Sequence, residues 1–558
     1  MTALDTTAPP ARHRIRPPAS ARPPFPSPTR PGRIDVLGPA LPGGGTVLTP
    51  GALEFLAHLH DRFACRRAEL LTERAHRRTA LGNGQDLRPR SPGAAVRYDP
   101  TWRVAGAGPG LGDRRVELTG PADRDTAQAA LSSGASTWVA DLEDGTSPTW
   151  HNVITGQVVL ADVVRQWPRA GGPGSPPTLV LRPRGWHLVE KHLCHTDGAG
   201  RRTPASAALV DFGLFTFANA AALVDRGQGP YFYLPKIETA AEARLWDEVF
   251  TETERLLGLP HKTIRATVLI ETVTAAFEME EILYELRHHC AGLNAGRWDY
   301  LFSIIKAFHD RGPSWTLPDR AALTMTTPLL QAYTERLVTT CHRRGAHAIG
   351  ALSTAIPDGP GADRDRATVL AEVAADKRRE AEQGFDGTWV AHPGLVGTAR
   401  SAFDDVLAGA TDQLHRRRDG VRAGEADLVD PRGLAGPVTD AGVRTNVSVA
   451  LRYMEAWLRG VGTAAIDGSL EDAATAEISR AQLWQWTARE TVTVEGTRVT
   501  RALVERLLAE VLAGQPRTPE DRFADAAAMF RAVTLAETFP TFFTVPGYVD
   551  HLVDVPPR

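Results

Sequence analysis

A few charged side chains in this chain have types and neighbours that suit chemistry. Glu271 closes the apolar run that begins at Arg265, Asp299 follows Gly296-Arg297-Trp298, Arg182 ends a short run from Thr178, and Asp472 lies within the stretch Ser469 to Trp486. Two carboxylates on neighbouring elements, with substrate and water completing an octahedron, form a hard oxygen site that suits Mg2+ better than Zn2+. The same carboxylates would serve equally well as salt-bridge partners of Arg182 or Arg297, and spacing alone does not choose. The stretch Gly292 to Trp298 offers a loop whose backbone N–H groups can hold a small carboxylate. Arg182 is a planar, permanently charged donor able to stabilise charge developing on an oxygen, with Arg184 as its local competitor. Asp472 admits two readings: an acid-base group, or the fourth position of a capping box opened by Ser469. Glu471 and Glu477 read as helix-surface or supporting charges. The histidine groups around Cys194 (His187, His192, His195) and at His288-His289-Cys290 lack metal-ligand spacing, because residues five apart do not share a helical face. Cys341 falls at a helix end and takes no catalytic role.

Something must hold these groups together, and the pattern between about 114 and 395 supplies it. Eight short apolar runs alternate with helical stretches, at 115–119, 136–141, 178–182, 231–235, 266–271, 299–303, 346–350 and 387–391. Strand-helix alternation argues for a parallel sheet, and eight units for an α/β fold closed as a (β/α)8 TIM barrel. Asp141, Arg182, Lys236, Glu271, Asp299 and His392 fall at or near run ends, where such barrels keep their chemistry. Asp299 is the exception, since it opens its run.

The barrel has flanking segments. Residues 1–45, rich in Pro, Arg and Ala, are expected to be a disordered tail. Residues 46–111 form an N-terminal helical segment, with Thr49 as N-cap and Pro50 at its first position, followed by a Gly/Pro linker. The barrel occupies 112–412, and a charged linker covers 413–438, with His415-Arg-Arg-Arg418 as a solvated face. Residues 439–558 form an all-helical C-terminal domain, with Val443, Val447, Tyr453 and Trp457 on one helix and Ile478, Leu483, Trp484 and Trp486 on the next.

A net charge of -3 gives no reason to expect nucleic acid or a membrane surface, so the partner is expected to be small. Four scattered cysteines without a CxxC pair fit a reducing, cytoplasmic setting. No apolar run reads as a membrane span, and no signal peptide is apparent.

Three segments in this order resemble the A-type malate synthases: Leu181-Arg-Pro-Arg-Gly-Trp-His187, Gly292-Leu-Asn-Ala-Gly-Arg-Trp-Asp299, and Leu470-Glu-Asp-Ala-Ala-Thr-Ala-Glu477. The resemblance runs from about Gly112 to the end and is weaker over 46–111. It implies Mg2+-dependent condensation of glyoxylate with acetyl-CoA, then thioester hydrolysis to malate and CoA. It also implies Arg182 and Asp472 as catalytic residues, Glu271 and Asp299 as metal ligands, and Gly296, Arg297 and Trp298 as the substrate-carboxylate loop. Asp141, Glu143 and Asp144 match an acidic strand end of the family and take a supporting role around metal-bound water. CoA is expected beside His392 and Pro393. Two alternatives are a malyl-CoA or citramalyl-CoA lyase, disfavoured by the long domain carrying Asp472, and a non-catalytic acyl-CoA binder, disfavoured by the intact acids and arginine. The chain departs from the family at Gly460-Val-Gly-Thr-Ala-Ala-Ile466, where Thr463 replaces a cysteine and Ala465 a proline. That change predicts a more mobile loop. The resemblance sets no oligomeric state, and a monomer is compatible with it.

Overall fold

The structure, a computed structural model, describes residues 31–88, 94–167, 175–418, 420 and 423–553. Eight parallel strands form the centre: Val116–Pro121, Thr137–Asp141, Thr178–Arg182, Tyr231–Leu234, Arg265–Ile270, Cys290–Ala295, His347–Ile349 and Thr388–Val390. Each pairs with its sequence neighbour, and the eighth pairs with the first. The seventh and eighth meet through the bridges Ile349↔Gly387 and Ser353↔Val390, which close the barrel. Inside it, Leu111, Val139, Val180, Tyr231, Leu269, Ile349 and Trp389 pack together as the filling that makes such a barrel a solid core.

Seven of the eight predicted runs coincide with strands to within a few residues; the sixth does not. Residues 299–303 lie in the helix Arg297–Phe308, and the strand is Cys290–Ala295. The apolar stretch Tyr300–Ile305 is buried on all sides, so it carries no helical periodicity to separate it from a buried strand. The true strand contains Gly292 and Asn294, both poor strand formers.

Several segments expected as tail or linker are built into the structure. Arg33–Val36 is a strand paired antiparallel with Val189–Thr196, which in turn pairs with Arg202–Ser206. The expected disorder of 1–45 is therefore wrong from residue 33 onward, while residues 1–30 lie outside the described residues. Ile34 supplies the burial that composition hid, packing with Leu56, Trp150 and Leu193. In the 46–111 segment, Thr49 caps the helix Pro50–Gly82 through Ala52 N–H, as predicted. The supposed linker beyond it docks on the N-terminal mouth of the barrel: Trp102 is buried under the Arg344 guanidinium, and the Gly106 N–H bonds to the Cys290 carbonyl. Residues 413–438 also pack down. Leu428 is buried, its carbonyl accepting from Tyr300 at 2.6 Å, and Arg416 and Arg418 bond carbonyls at 382–383 instead of forming a free solvated face.

The helix Ala207–Asp225 corrects the expectation that no stretch is long and apolar enough to span a membrane. It meets both criteria, yet 72% of its apolar window is buried within the protein.

The C-terminal helices Asp440–Leu458, Ala473–Ala488, Arg501–Ala513, Phe523–Thr534 and Thr544–His551 form a second core around Val447, Trp457 and Trp486. The helix Ala473–Ala488 bridges both cores, since Ile478 and Ala481 pack with the barrel cluster. Trp486 Nε1 donates to the Leu317 carbonyl at 2.8 Å, fixing the far end of that helix to the barrel side.

A chain starting at residue 41 should be less stable than one starting at residue 31, by about 2 kcal/mol or more, because it loses the buried Ile34 side chain and a strand ladder. Thermal unfolding of the two truncations measures this. Equal melting temperatures would show that the strand contributes nothing.

Candidate active site

The second and third strands end in a matched pair. Asp141 receives N–H bonds from Glu143 (2.9 Å) and Gly145 (2.6 Å), which fix its carboxylate. That carboxylate holds Arg182 through Nε at 2.7 Å and Nη2 at 2.5 Å. The fork leaves Nη1 directed at Asp144, 3.2 Å away. Burial opposes the Arg182 charge, but Asp141 and then Asp144 hold it more firmly protonated than an ordinary guanidinium. Arg184, its sequence competitor, is buried elsewhere, paired with Asp211 and Glu190. The two readings of that arginine pair are thereby separated.

Glu271 follows the fifth strand and Asp299 lies in the first turn of the helix Arg297–Phe308, where the helix dipole favours a carboxylate. The geometry adds a group that sequence reasoning placed only at a strand end: Lys236. Its ammonium lies 2.7 Å from Asp299, 2.9 Å from Asp144 and 3.2 Å from Glu143. Its backbone N–H donates to Glu271 at 2.5 Å. It does so from a left-handed φ of 53°, a conformation that costs on the order of 1 kcal/mol or more in a residue with a side chain. Burial pushes Glu271 and Asp299 up from the usual carboxylate range, and Lys236 only partly offsets it. Asp144 goes the other way: although buried, it is held down by Lys236 and Arg182.

Carboxylate oxygens of Asp144, Glu271 and Asp299 all lie within 4.8 Å of one another. Among the described residues, the buried Asp299 Oδ1 has no hydrogen-bond partner. A convergent set of hard oxygens with one orphaned atom fits a divalent cation of the Mg2+ class, with Asp144 joining the two predicted ligands.

Gly296 brings the helix start against Glu271: a Cβ there would meet the Glu271 Cβ at 2.6 Å, so only glycine allows the approach. The predicted loop of Gly296, Arg297 and Trp298 is thus the N-terminus of a helix. Among the described residues no N-cap side chain bonds to it, which leaves its first N–H groups suited to an anion. Trp298 is held by Arg297 (4.1 Å) and Arg320 (4.9 Å), and Arg320 also pairs with Glu471.

Asp472 reaches this place from the other domain. Ser469 is not its cap: Ser469–Glu471 is a short strand paired with Ala464–Ile466, and Asp472 is itself the N-cap of Ala473–Ala488. Its Oδ1 accepts from Thr475 N–H at 3.1 Å, and the Thr475 hydroxyl completes the box. Asp472 is thus the cap itself, and it also lines the cavity shared by Arg182, Glu271 and Asp299. Burial and the nearby Asp144 push its carboxyl up to about 7, against the pull of Arg182. Glu471 and Glu477 are buried and ion-paired, with Arg320 and Arg480 respectively, so the surface reading of both is wrong.

The seam is tight. Tyr453 donates to the Gly462 carbonyl at 2.8 Å, and Asn152 to that of Gly460 at 2.7 Å. A Cβ at Gly462 would meet the Gly145 carbonyl at 2.4 Å. Thr463, the family departure, donates to that carbonyl at 3.1 Å, and Ala465 pairs with Leu470. The loop expected to be mobile is hydrogen-bonded into the seam.

Arg182, Glu271, Asp299, Trp298, Asp144 and Asp472 line one cavity of about 40 Å³, enough for a few water molecules where each takes roughly 10–15 Å³. His392 and Pro393 do not line it; His392 caps the turn Pro393–Leu395 just beyond the eighth strand. A larger cavity of about 430 Å³ lies between the helices Pro50–Gly82 and Arg297–Phe308 and the segment 540–546, but holds none of the clustered carboxylates. Chemistry, not volume, marks the site.

Three family models match in chain order: "Malate synthase, N-terminal domain" over 33–93, "Malate synthase, TIM barrel domain" over 178–431 and "Malate synthase, C-terminal" over 437–551. The malate synthase of Streptomyces clavuligerus is 50% identical over 94% of this chain and 98% of its own. Malate synthase A of Escherichia coli is 42% identical over 90% and 95%. This chain belongs to the malate synthase family. Its reaction is that of malate synthase, joining acetyl-CoA to glyoxylate. Among solved structures, a malate synthase of Haloferax volcanii in a pyruvate/acetyl-CoA ternary complex is 16% identical, with a TM-score of 0.45 over 72% of this chain and 97% of that one. The assignment rests on the sequence relatives.

The raised pKa of Asp472 has a stability consequence with a definite sign. Its folded-state value, about 7, lies above the ordinary aspartate value of 3.8, so the folded chain binds the extra proton between these pH values. Stability is then lost as pH rises through that window. Asp472→Asn keeps a good N-cap and removes the charge, so in chelator-treated protein it should raise the melting temperature at pH 8 and have less effect toward pH 5. A lower melting temperature at pH 8 would contradict this.

Proposed function

We propose that Asp472 is the base of the condensation, taking a methyl proton from acetyl-CoA while Arg182 stabilises the enolate oxygen. What carries this reading is a carboxyl held near pKa 7 lining the same cavity as a clamped guanidinium. A base so poised is ionised enough to act and basic enough to accept. The thioester methyl is a far weaker acid than Asp472 matches alone. Arg182 acts as the transition state forms, with Nη1 free of the Asp141 clamp.

The remaining groups follow from that start. The methyl proton passes to Asp472, the electron pair reaches the thioester oxygen, and the enolate carbon attacks the aldehyde carbon of glyoxylate, whose oxygen takes the C=O π electrons and then a proton from solvent to become the malate hydroxyl. Water then cleaves the malyl thioester, giving malate and free CoA. The N-terminus of the helix at Gly296, Arg297 and Trp298 orients the glyoxylate carboxylate. Glu271 and Asp299, with Asp144 beside them, would hold Mg2+; bound there, it supplies Lewis-acid polarisation of glyoxylate. Asp141 and Glu143 keep Arg182 and Lys236 in place. Acetyl-CoA enters along the seam near His392 and Pro393. Four free cysteines, three of them buried, accord with a cytoplasmic setting.

Release of CoA on adding glyoxylate to enzyme and acetyl-CoA tests the overall reading, and its absence would overturn it. Glu271→Gln and Asp299→Asn should each weaken Mg2+ binding at least about tenfold in calorimetry without lowering the metal-free melting temperature. Unchanged affinity in both variants would remove these residues as ligands. Arg182→Lys loses the two-point grip on Asp141 and should lower kcat by roughly 10²- to 10³-fold with little change in acetyl-CoA KM. A variant turning over at the native rate would show that another group stabilises the enolate.

A further inference from the structure

At the opposite, N-terminal mouth of the barrel, three side chains from separate elements converge. Glu254 lies near the end of the helix Ala240–Leu257, His261 on the loop that follows, and His289 just before the sixth strand. His261 Nδ1 lies 3.0 Å and His289 Nε2 3.3 Å from the same oxygen, Glu254 Oε2. All three ligand atoms fall within 4.8 Å of one another. Zinc bound at about 2.0–2.1 Å in a tetrahedron sets its ligand atoms roughly 3.3 Å apart, so little movement is needed.

The second layer is in place as well. The far nitrogen of His289, Nδ1, lies 2.7 Å from Asp247 Oδ1, the carboxylate-histidine arrangement that fixes the tautomer leaving Nε2 as a ligand. Glu254 Oε1 is anchored by the Ile264 N–H at 2.8 Å. Glu254 and His289 are buried, whereas the His261 side chain is 49% exposed, giving an ion a path in and leaving a coordination position toward solvent. No part of the condensation uses these residues.

We propose that Glu254, His261 and His289 form a binding site for a zinc-class divalent ion, separate from the catalytic cavity. Two imidazoles and one carboxylate favour Zn2+ over Mg2+, which avoids nitrogen donors. The ion would pin the loop between the helix Ala240–Leu257 and the fifth strand to the turn before the sixth. Its role is structural, at the closed end of the barrel.

The test compares the full-length enzyme with His261→Ala, a change at an exposed side chain outside the catalytic machinery. Zn2+ titration against a chromophoric chelator should find one more bound ion per chain in the native enzyme, or at least about tenfold tighter binding, than in the variant. Zn2+ should also raise the native melting temperature more than that of the variant. Co2+ loading gives an independent readout: a strong visible absorption from a four-coordinate, nitrogen-containing site, lost in His261→Ala, while malate formation stays the same in both. Any ion captured by the catalytic carboxylates is common to both proteins and cancels. Equal Zn2+ stoichiometry and affinity, or only the weak spectrum of six-coordinate Co2+ in the native enzyme, would overturn the proposal.

Discussion

Asp141, Glu143, Asp144, Glu271, Asp299 and Asp472 share one end of the barrel, where Arg182 and Lys236 are the cations ion-paired with this cluster and Arg297 lines the same cavity. So many carboxylates in a poorly hydrated space cannot all ionise unless more positive charge arrives. The rest of the site answers to that imbalance. Asp141 gives its charge to Arg182, Asp144 shares Arg182 and Lys236, and Glu143, Glu271 and Asp299 are left raised. Lys236 reaches four of the acids only by taking a left-handed backbone. That excess of carboxylates fits the proposed divalent ion, and with burial it pushes the Asp472 carboxyl up to about 7.

That constraint explains why the two domains cannot be loosely joined. Asp472 feels Asp144 and Arg182 only if the C-terminal helix is held against the second and third strand ends. Ala473 N–H approaches the Asp144 carbonyl at 3.4 Å, Gly462 packs where no side chain fits, and Ile478 lies in the barrel core. The contacts are largely to backbone atoms, which set distance more firmly than long side chains do. Capping is compatible with the proposed catalysis, because the bond from Thr475 N–H that starts the helix also orients the carboxylate.

The barrel was legible in the sequence because seven of its strands are short apolar runs, four of them ending at or within two residues of a charged group, Asp141, Arg182, Lys236 or Glu271. The sixth was hidden by Gly292 and Asn294, and by an apolar helix behind it that has no polar face. Arg182, Glu271, Asp299 and Asp472 could be named in the sequence, yet spacing alone could not tell ligand from salt bridge or base from cap, and only the family resemblance chose between them. Lys236 gave only a strand-end signal, since its role depends on contacts with Glu143, Asp144 and Asp299, far away in the chain. The pairing of Arg33–Val36 was invisible for a similar reason: its partner strand starts more than 150 residues later and carries an alternation broken by charge and histidine. The cluster of Glu254, His261 and His289 has no local spacing to read, and it exists only once a helix end, a loop and a turn meet.

In the proposed reaction the proton leaving acetyl-CoA goes to a carboxylate on the C-terminal domain. That transfer is tested most directly by following exchange of the acetyl-CoA methyl protons with deuterated solvent, in the presence of Mg2+ and a glyoxylate analogue that cannot be attacked. Exchange is expected in the native enzyme, with a loss of roughly 10²- to 10⁴-fold in Asp472→Asn and the fold intact. Equal exchange in both proteins would contradict it and place the base elsewhere.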